Sequence, residues 1–175
     1  MKYDLSPLGE VRRTERLLLR PFLFEDAEAF YACLSSPDAL KYEDRAPLTR
    51  EDAHAELQAR IEDMGSVAVC LPPTPDAPFG RLIGFISVYE IDGCIFWGYM
   101  ICADEQKKGY AREACRAVMD VLLSLDISGI FALSDKENKP SAALLSDLGF
   151  TLCEVTESGV GREVGLYLYK KETAE

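Results

Sequence analysis

Histidine is nearly absent: this 175-residue chain has one, His54. Its six cysteines, at 33, 70, 94, 102, 115 and 153, include no Cys-x-x-Cys pair. A zinc site is therefore not expected, and no other metal is implied. Most of these cysteines lie inside apolar runs and read as buried thiols rather than a disulfide framework. No apolar run approaches the ~18–20 residues that a membrane-spanning helix needs. The opening MKYDLSPLGEVRRTER also lacks the apolar centre of a secretory signal. The expectation is a cytoplasmic protein with no membrane partner. Basic residues are scarce too, with 19 Lys and Arg against 30 Asp and Glu and a net charge of −11. Nucleic acid, which calls for a broad basic face, is not an expected partner. The acidic balance suits a basic or amine-bearing partner, and it also serves solubility.

Repeats and low-complexity segments are missing as well. What is present is a run of apolar segments from end to end, with 48% hydrophobic residues. That length and composition fit one globular domain, residues 1–175, monomeric or homodimeric. The one conspicuous break, LPPTPDAPFG at 71–80, holds four prolines. It lies between two β-like runs and reads as an exposed hairpin loop.

Periodicity predicts a first strand in RLLLRPF and a helix in EDAEAFYACLSS that buries Phe30, Tyr31 and Leu34. A second helix follows in LTREDAHAELQARIEDMG, with Thr49 and Asp52 as a capping box and Gly65 as its stop. Strands are expected near 67–71 and 82–91, and an Asp92-Gly93 turn leads into the strand CIFWGYMI. YAREACRAVMDVLLSL places Ala111, Ala114, Cys115, Val118, Leu122 and Leu125 on one helical face. GIFALS reads as a buried strand, PSAALLSDLGF as a short helix ending at Gly149, and TLCEVTE with EVGLYLYK as a closing hairpin. The order β-α-α-β-β-β-α-β-α-β-β predicts an α/β fold with a mixed, mainly antiparallel sheet flanked by helices. A doubly wound sheet would need regular alternation.

The stretch CADEQKKGYAREA, from Cys102 to Ala114, puts two lysines and a glycine at a strand-to-helix junction of a very acidic chain. Unpaired backbone N–H groups converge at such a junction, and the helix dipole favours negative charge there. Gly109 permits close backbone approach or a positive φ. Neither Gly-x-Gly-x-x-Gly nor Gly-x-x-x-x-Gly-Lys-Ser/Thr occurs, so the common nucleotide folds lose support.

Gln106-Lys107-Lys108-Gly109-Tyr110-Ala111 resembles the Gln/Arg-x-x-Gly-x-Gly/Ala signature of the GNAT N-acetyltransferase superfamily. FWGYMI before it is similar to that family's splayed central strand, and ENKPSAALLSDLGF to its later Asn-x-x-Ser/Ala segment. TERLLLRPFLFEDAEAF looks like the start of the branch that includes the ribosomal-protein alanine acetyltransferases. The resemblance spans about residues 12–170 and implies a single-domain GNAT-like fold that binds acetyl-CoA as cosubstrate.

By that resemblance, backbone amides from Lys107, Lys108, Gly109, Tyr110, Ala111 and Arg112 cradle the pyrophosphate, behind Gln106 of the signature. Lys107, Lys108 or Arg112 also approach the 3′-phosphate. The backbone of Tyr99, Met100 and Ile101 pairs with pantetheine, and Asn138 and Ser141 sit near the thioester arm. Ser141 is the candidate donor to the departing thiol, although Asn138 and Ser141 also read as the cap and first turn of a helix.

Two departures stand out. The tyrosine that many members use as general acid is Leu145 here. Where members often carry a glutamate base on the splayed strand, this chain has Phe96 and Trp97. Glu90 and Asp92 are the nearest carboxylates in sequence, and Glu43 and Asp44 form a second pair; Glu90 is the expected contributor to proton removal. The implied activity is transfer of acetyl to a primary amine, a peptide N-terminus first and a polyamine or aminoglycoside second. An idle acyl-CoA-binding sensor or interaction module on the same fold is the alternative.

Overall fold

The computed structural model describes residues 3–171. Eight strands form one sheet in the order β1-β2-β3-β4-β5-β6-β8-β7. They are β1 (Arg12–Arg13), β2 (Leu18–Arg20), β3 (Ser66–Leu71), β4 (Arg81–Ile91), β5 (Cys94–Ile101), β6 (Gly129–Asp135), β7 (Thr151–Glu157) and β8 (Glu163–Lys170). Four helices accompany them: α1 (Ala27–Leu34), α2 (Arg50–Glu62), α3 (Tyr110–Ser124) and α4 (Lys139–Asp147). Every neighbouring strand pair is antiparallel except β5 and β6, which run parallel. The expected element order holds, with the two-residue β1 added at the edge.

Two cores lie on opposite faces of the sheet. Leu18, Phe30, Leu34, Leu57, Phe85 and Met100 join α1 and α2 to one face. Ile86, Val88, Trp97, Cys115, Val118, Leu122 and Leu145 join α3 and α4 to the other. Alternation along β4 explains the split: Phe85 enters the first core and Ile86 and Val88 the second.

Local chemistry sets the helix limits. The Thr49 hydroxyl accepts from the Asp52 amide and caps α2, a bond of the type that contributes about 1 kcal/mol. Gly65 is not the α2 stop, because that helix ends at Glu62. Its role is close approach: a Cβ there would overlap the Val88 carbonyl oxygen, and the Gly65 carbonyl itself accepts from the Val88 amide at 2.8 Å. Tyr31, expected in the core, is only half-buried, with the Arg50 guanidinium over its ring at 4.4 Å.

The cysteines depart further from the expected set of buried thiols. Cys33 and Cys102 form a disulfide across 69 residues of sequence, with Cα atoms 4.7 Å apart. It joins the end of α1 to the residue after β5, a proximity that only the tertiary fold creates. Cys70 and Cys115 are buried thiols as expected, whereas Cys94 is half-buried and Cys153 exposed. Closing a loop of this size constrains the unfolded chain, so reduction is expected to lower unfolding stability, by at most about 4 kcal/mol. Urea titrations with and without dithiothreitol measure this; coincident curves would return both residues to the thiol state.

Candidate active site

Strands β5 and β6 pair over three residues only, Ile95 with Ile130, Phe96 with Phe131 and Trp97 with Ala132. Beyond Trp97 they part. β5 continues along β4 as far as Ile101, and β6 continues along β8 as far as Asp135. Backbone edges therefore open between them, and two cavities of about 550 and 350 Å³ lie at the opening. Tyr42, Glu43, Tyr99, Met100, Asn138 and Ser141 line both.

The smaller cavity lies against the loop before α3 and the first turns of α3 and α4. Of the residues singled out in sequence, it gathers Tyr99, Met100, Ile101, Gln106, Lys107, Gly109, Tyr110, Ala111, Arg112, Asn138 and Ser141. Lys107 and Gly109 both take left-handed backbone, at φ 62° and 84°, and α3 begins directly after them. Among the described residues no side chain caps α3, unlike α2 and α4, whose Thr49 and Asn138 accept first-turn amides. The first N–H groups of α3 thus remain available to an anion from outside the chain.

Lys108 is not in that lining. Its ammonium pairs at 2.8 Å with Glu105, whose other oxygen accepts from Arg81 at 2.7 Å. Those bonds, Lys108 first and then Arg81, hold the buried Glu105 carboxyl below its usual range. Gln106 turns its amide inward, donating to the Ile101 carbonyl at 2.9 Å. Arg112 pairs with Asp147. From outside, Arg16 donates to the Lys108 carbonyl at 2.9 Å and to Glu113 at 2.8 Å. The loop is therefore clamped by Arg16, Glu105 and Glu113, none of which the sequence marks: Arg16 and Glu113 are 97 residues apart.

Ser141 and Asn138 sit at the start of α4. The Asn138 side chain accepts from the Ser141 amide at 3.1 Å, so it is a helix cap that also faces the cavity. The Tyr99 hydroxyl donates to Ser141 Oγ at 2.9 Å, which leaves the serine proton free to point elsewhere. Burial pushes the Tyr99 phenol up to about 12, with Ser141 pulling the other way. This phenol is protonated at neutral pH.

The larger cavity lies on the α1–α2 face of the sheet, under the loop that joins those helices. Glu43, Asp44, Asp135 and Glu157 stand around it. Arg162 spans part of this ring, donating to the Lys41 carbonyl at 2.9 Å and to Asp135 at 3.3 Å. Arg60 is bound to Glu56 and Ser87 and stacked 4.2 Å over Phe85. Glu43 is exposed at its surface but lines both cavities, whose walls strip part of its hydration. That desolvation raises its pKa; Arg45 and Arg162 pull it down and Asp44 adds to the rise.

Glu90, the expected contributor to proton removal, lines neither cavity. Alternation puts Tyr89 on the cavity side of β4 and Glu90 on the other, where its carboxylate accepts from the Tyr3 amide at 3.2 Å. His54 lies exposed on α2, beside the Arg50 carbonyl. Among the described residues, no group of three or more His, Cys, Asp or Glu could hold a metal ion, and no helix is long and apolar enough to cross a membrane.

Relatives agree with this architecture. Residues 16–151 match the family model described as an acetyltransferase (GNAT) domain. The chain is 30% identical over 141 residues to the uncharacterized N-acetyltransferase YnaD of Bacillus subtilis (strain 168), covering 78% of this chain and 79% of that protein. It is 29% identical over 170 residues to the uncharacterized N-acetyltransferase p20 of Bacillus licheniformis, covering 91% and 94%. A GNAT-family acetyltransferase from Bacillus anthracis superposes with a TM-score of 0.80 at 23% identity, over 94% of this chain and all of that one. The split sheet, the uncapped helix behind a left-handed loop and these matches identify the chain as a member of the GNAT acetyltransferase family, whose cosubstrate is acetyl-CoA.

Proposed function

We propose that the chain acetylates a primary amine by direct transfer, with acetyl-CoA in the smaller cavity and the amine in the larger. The observation that carries this is the shared wall: six residues line both cavities, so two bound substrates would meet there. Among those six, Ser141 is hydrogen-bonded to a phenol rather than to a base, which argues against a covalent acyl-enzyme. Lys107, Gly109 and the uncapped amides of Tyr110, Ala111 and Arg112 would hold the pyrophosphate. The exposed backbone of Tyr99, Met100 and Ile101 would hold the pantetheine arm. Acetyl-CoA supplies the acetyl thioester.

Glu43 takes the part first expected of Glu90. An ammonium cannot attack a thioester, and a carboxylate with a raised pKa at the meeting point suits removal of its proton. Ser141 Oγ–H, kept free to donate by the Tyr99 bond, would supply a hydrogen bond on the thiol side. This arrangement replaces the tyrosine that is Leu145 here. The acceptor we favour is a peptide α-amine, with a reference pKa near 8 against about 10.4 for lysine. The acidic ring would draw in its cation.

The test is thiol release from acetyl-CoA over a panel of peptides and small amines, with the acetylated product identified by mass. Acetyl-CoA binding without turnover of any amine would leave an acyl-CoA-binding sensor. Ser141→Ala is expected to lower kcat about tenfold or more, and Tyr99→Phe less. Acetyl-CoA affinity should change little in either, the mark of an interaction made mainly in the transition state. Equal kcat in Ser141→Ala would return the residue to a structural role.

A further inference from the structure

On the α1–α2 face, helix cover stops at β4 and the end of β5, where the buried core takes Met100. Next to that edge stands a row of rings. Tyr89, Phe96 and Phe131 lie directly opposite one another on β4, β5 and β6. They stack with centroids 5.9 and 5.2 Å apart and planes 15° and 23° from parallel. Tyr89 is 42% exposed, and Leu133, beside the row on β6, is 52% exposed. A stacked cross-strand row is a rigid apolar surface, and contiguous exposed apolar area is a mark of binding surfaces.

The row borders the larger cavity. Tyr89 and Leu133 belong to its lining. Between the rings and the open end of β5, Ser87 faces Gly98, and a Cβ built on Gly98 would meet nothing within 4 Å. The cavity thus has a low floor, with Glu43 and Tyr89 of the ring row both on its border. From Gly98 to the row is one two-residue step, about 7 Å along the strand. Across the sheet the row continues to Leu168 on β8, which faces Phe131. Three strand spacings make it about 14 Å long, more than a small amine would cover.

We propose that the acceptor is a polypeptide N-terminus with a bulky apolar side chain at its second residue. That side chain lies on the Tyr89–Phe96–Phe131 row while the α-ammonium meets Glu43. The proposal rests on the acetyltransferase reading above and narrows its substrate class. Charge complementarity orients the peptide: Asp135 and Glu157 stand beyond the ring row toward the open end of the split, and the ring row is apolar.

The experiment compares two peptide amides, Ala-Phe-Ser-Gly and Ala-Ser-Ser-Gly, with phenethylamine and spermidine, at saturating acetyl-CoA. The wild type is expected to favour the Phe peptide about tenfold in kcat/KM, mostly through KM, the factor that partial burial of one ring brings. Phe131→Ser and, as a milder change at an exposed site, Leu133→Ser should each bring that ratio within about twofold of unity. Acetyl-CoA affinity, read by calorimetry, should not move. Equal use of both peptides by the wild type, or an unchanged ratio in both folded variants, would overturn the proposal. Phenethylamine outpacing both peptides would overturn it in favour of a small arylalkylamine. A dimer that Phe131→Ser dissociates, with the peptide ratio unchanged, would assign the row to a second copy of the chain. Acetyl-CoA binding with no turnover of any acceptor is a separate result, which would overturn the acetyltransferase reading itself and the proposal with it.

Discussion

Glutamine in place of Glu43 is expected to lower kcat about a hundredfold, at the lower end of what positioned acid–base groups supply. Acetyl-CoA affinity should stay within about a factor of two, since the cradle amides are untouched. The expectation follows from position and environment together. Glu43 lines both cavities, and no hydrogen bond holds its carboxylate among the described residues. Its proton affinity is raised chiefly by lost hydration, with Arg45 and Arg162 opposing and Asp44 adding to the rise. A protonated Glu43 cannot accept the amine's proton, so activity is lost as pH falls through its raised pKa and recovered above it. The wild-type pH–rate profile should therefore rise through an inflection above the ordinary carboxylate range, followed by the amine's own titration. Glu43→Gln should lack the first rise and keep the second, and Glu43→Asp should keep a weakened form of both. A Glu43→Gln enzyme with full kcat and an unaltered acid limb would hand the proton to water.

Local chemistry is legible in the sequence, and contacts between distant segments are not. The loop from Gln106 to Arg112 is legible because its chemistry is local: a glycine, a strand end and a helix start within a few residues dictate where amides point. All its singled-out residues except Lys108 line the smaller cavity. Lys108 looks like a phosphate ligand in sequence, and only the fold reveals that Glu105, itself paired with Arg81, already engages it. Glu90 lies away from both cavities for a different reason. Tyr89 and Glu90 differ by one position, and alternation sends them to opposite faces of β4. The apolar residues of β4 occupy both faces, with Phe85 in one core and Ile86 and Val88 in the other. Hydrophobic pattern therefore could not say which parity faces the split. Glu43 sits in an irregular loop whose course depends on long-range ties, among them the Arg45–Glu56 pair and the Arg162 bond to the Lys41 carbonyl. The Cys33–Cys102 contact belongs to the same class, since helix and strand periodicities carry no information on which helix end meets which strand end.

Valine at position 109 is expected to weaken acetyl-CoA binding about a hundredfold, equivalent to roughly 2.7 kcal/mol, in a chain that still folds. Gly109 has φ 84°, a conformation that a β-branched L-residue resists. A Cβ there would lie 3.3 Å from Arg16 Nη2. The new side chain thus presses on the outer clamp rather than filling the cavity. Displacing Arg16 would release both the Lys108 carbonyl and Glu113, and relaxing φ would swing the uncapped α3 amides out of line. Fold retention is expected because α3 is held by Ala114, Cys115, Val118 and Leu122, all buried on its far side. Since backbone conformation is the cause, losses should rank Asn below Ala and Ala below Val, as asparagine tolerates left-handed backbone best of the three. Calorimetric titration of the three folded variants reads this order directly. Asparagine as damaging as valine would mean that side-chain bulk, not φ, sets the loss. Wild-type affinity in Gly109→Val would remove the loop from the cofactor site altogether.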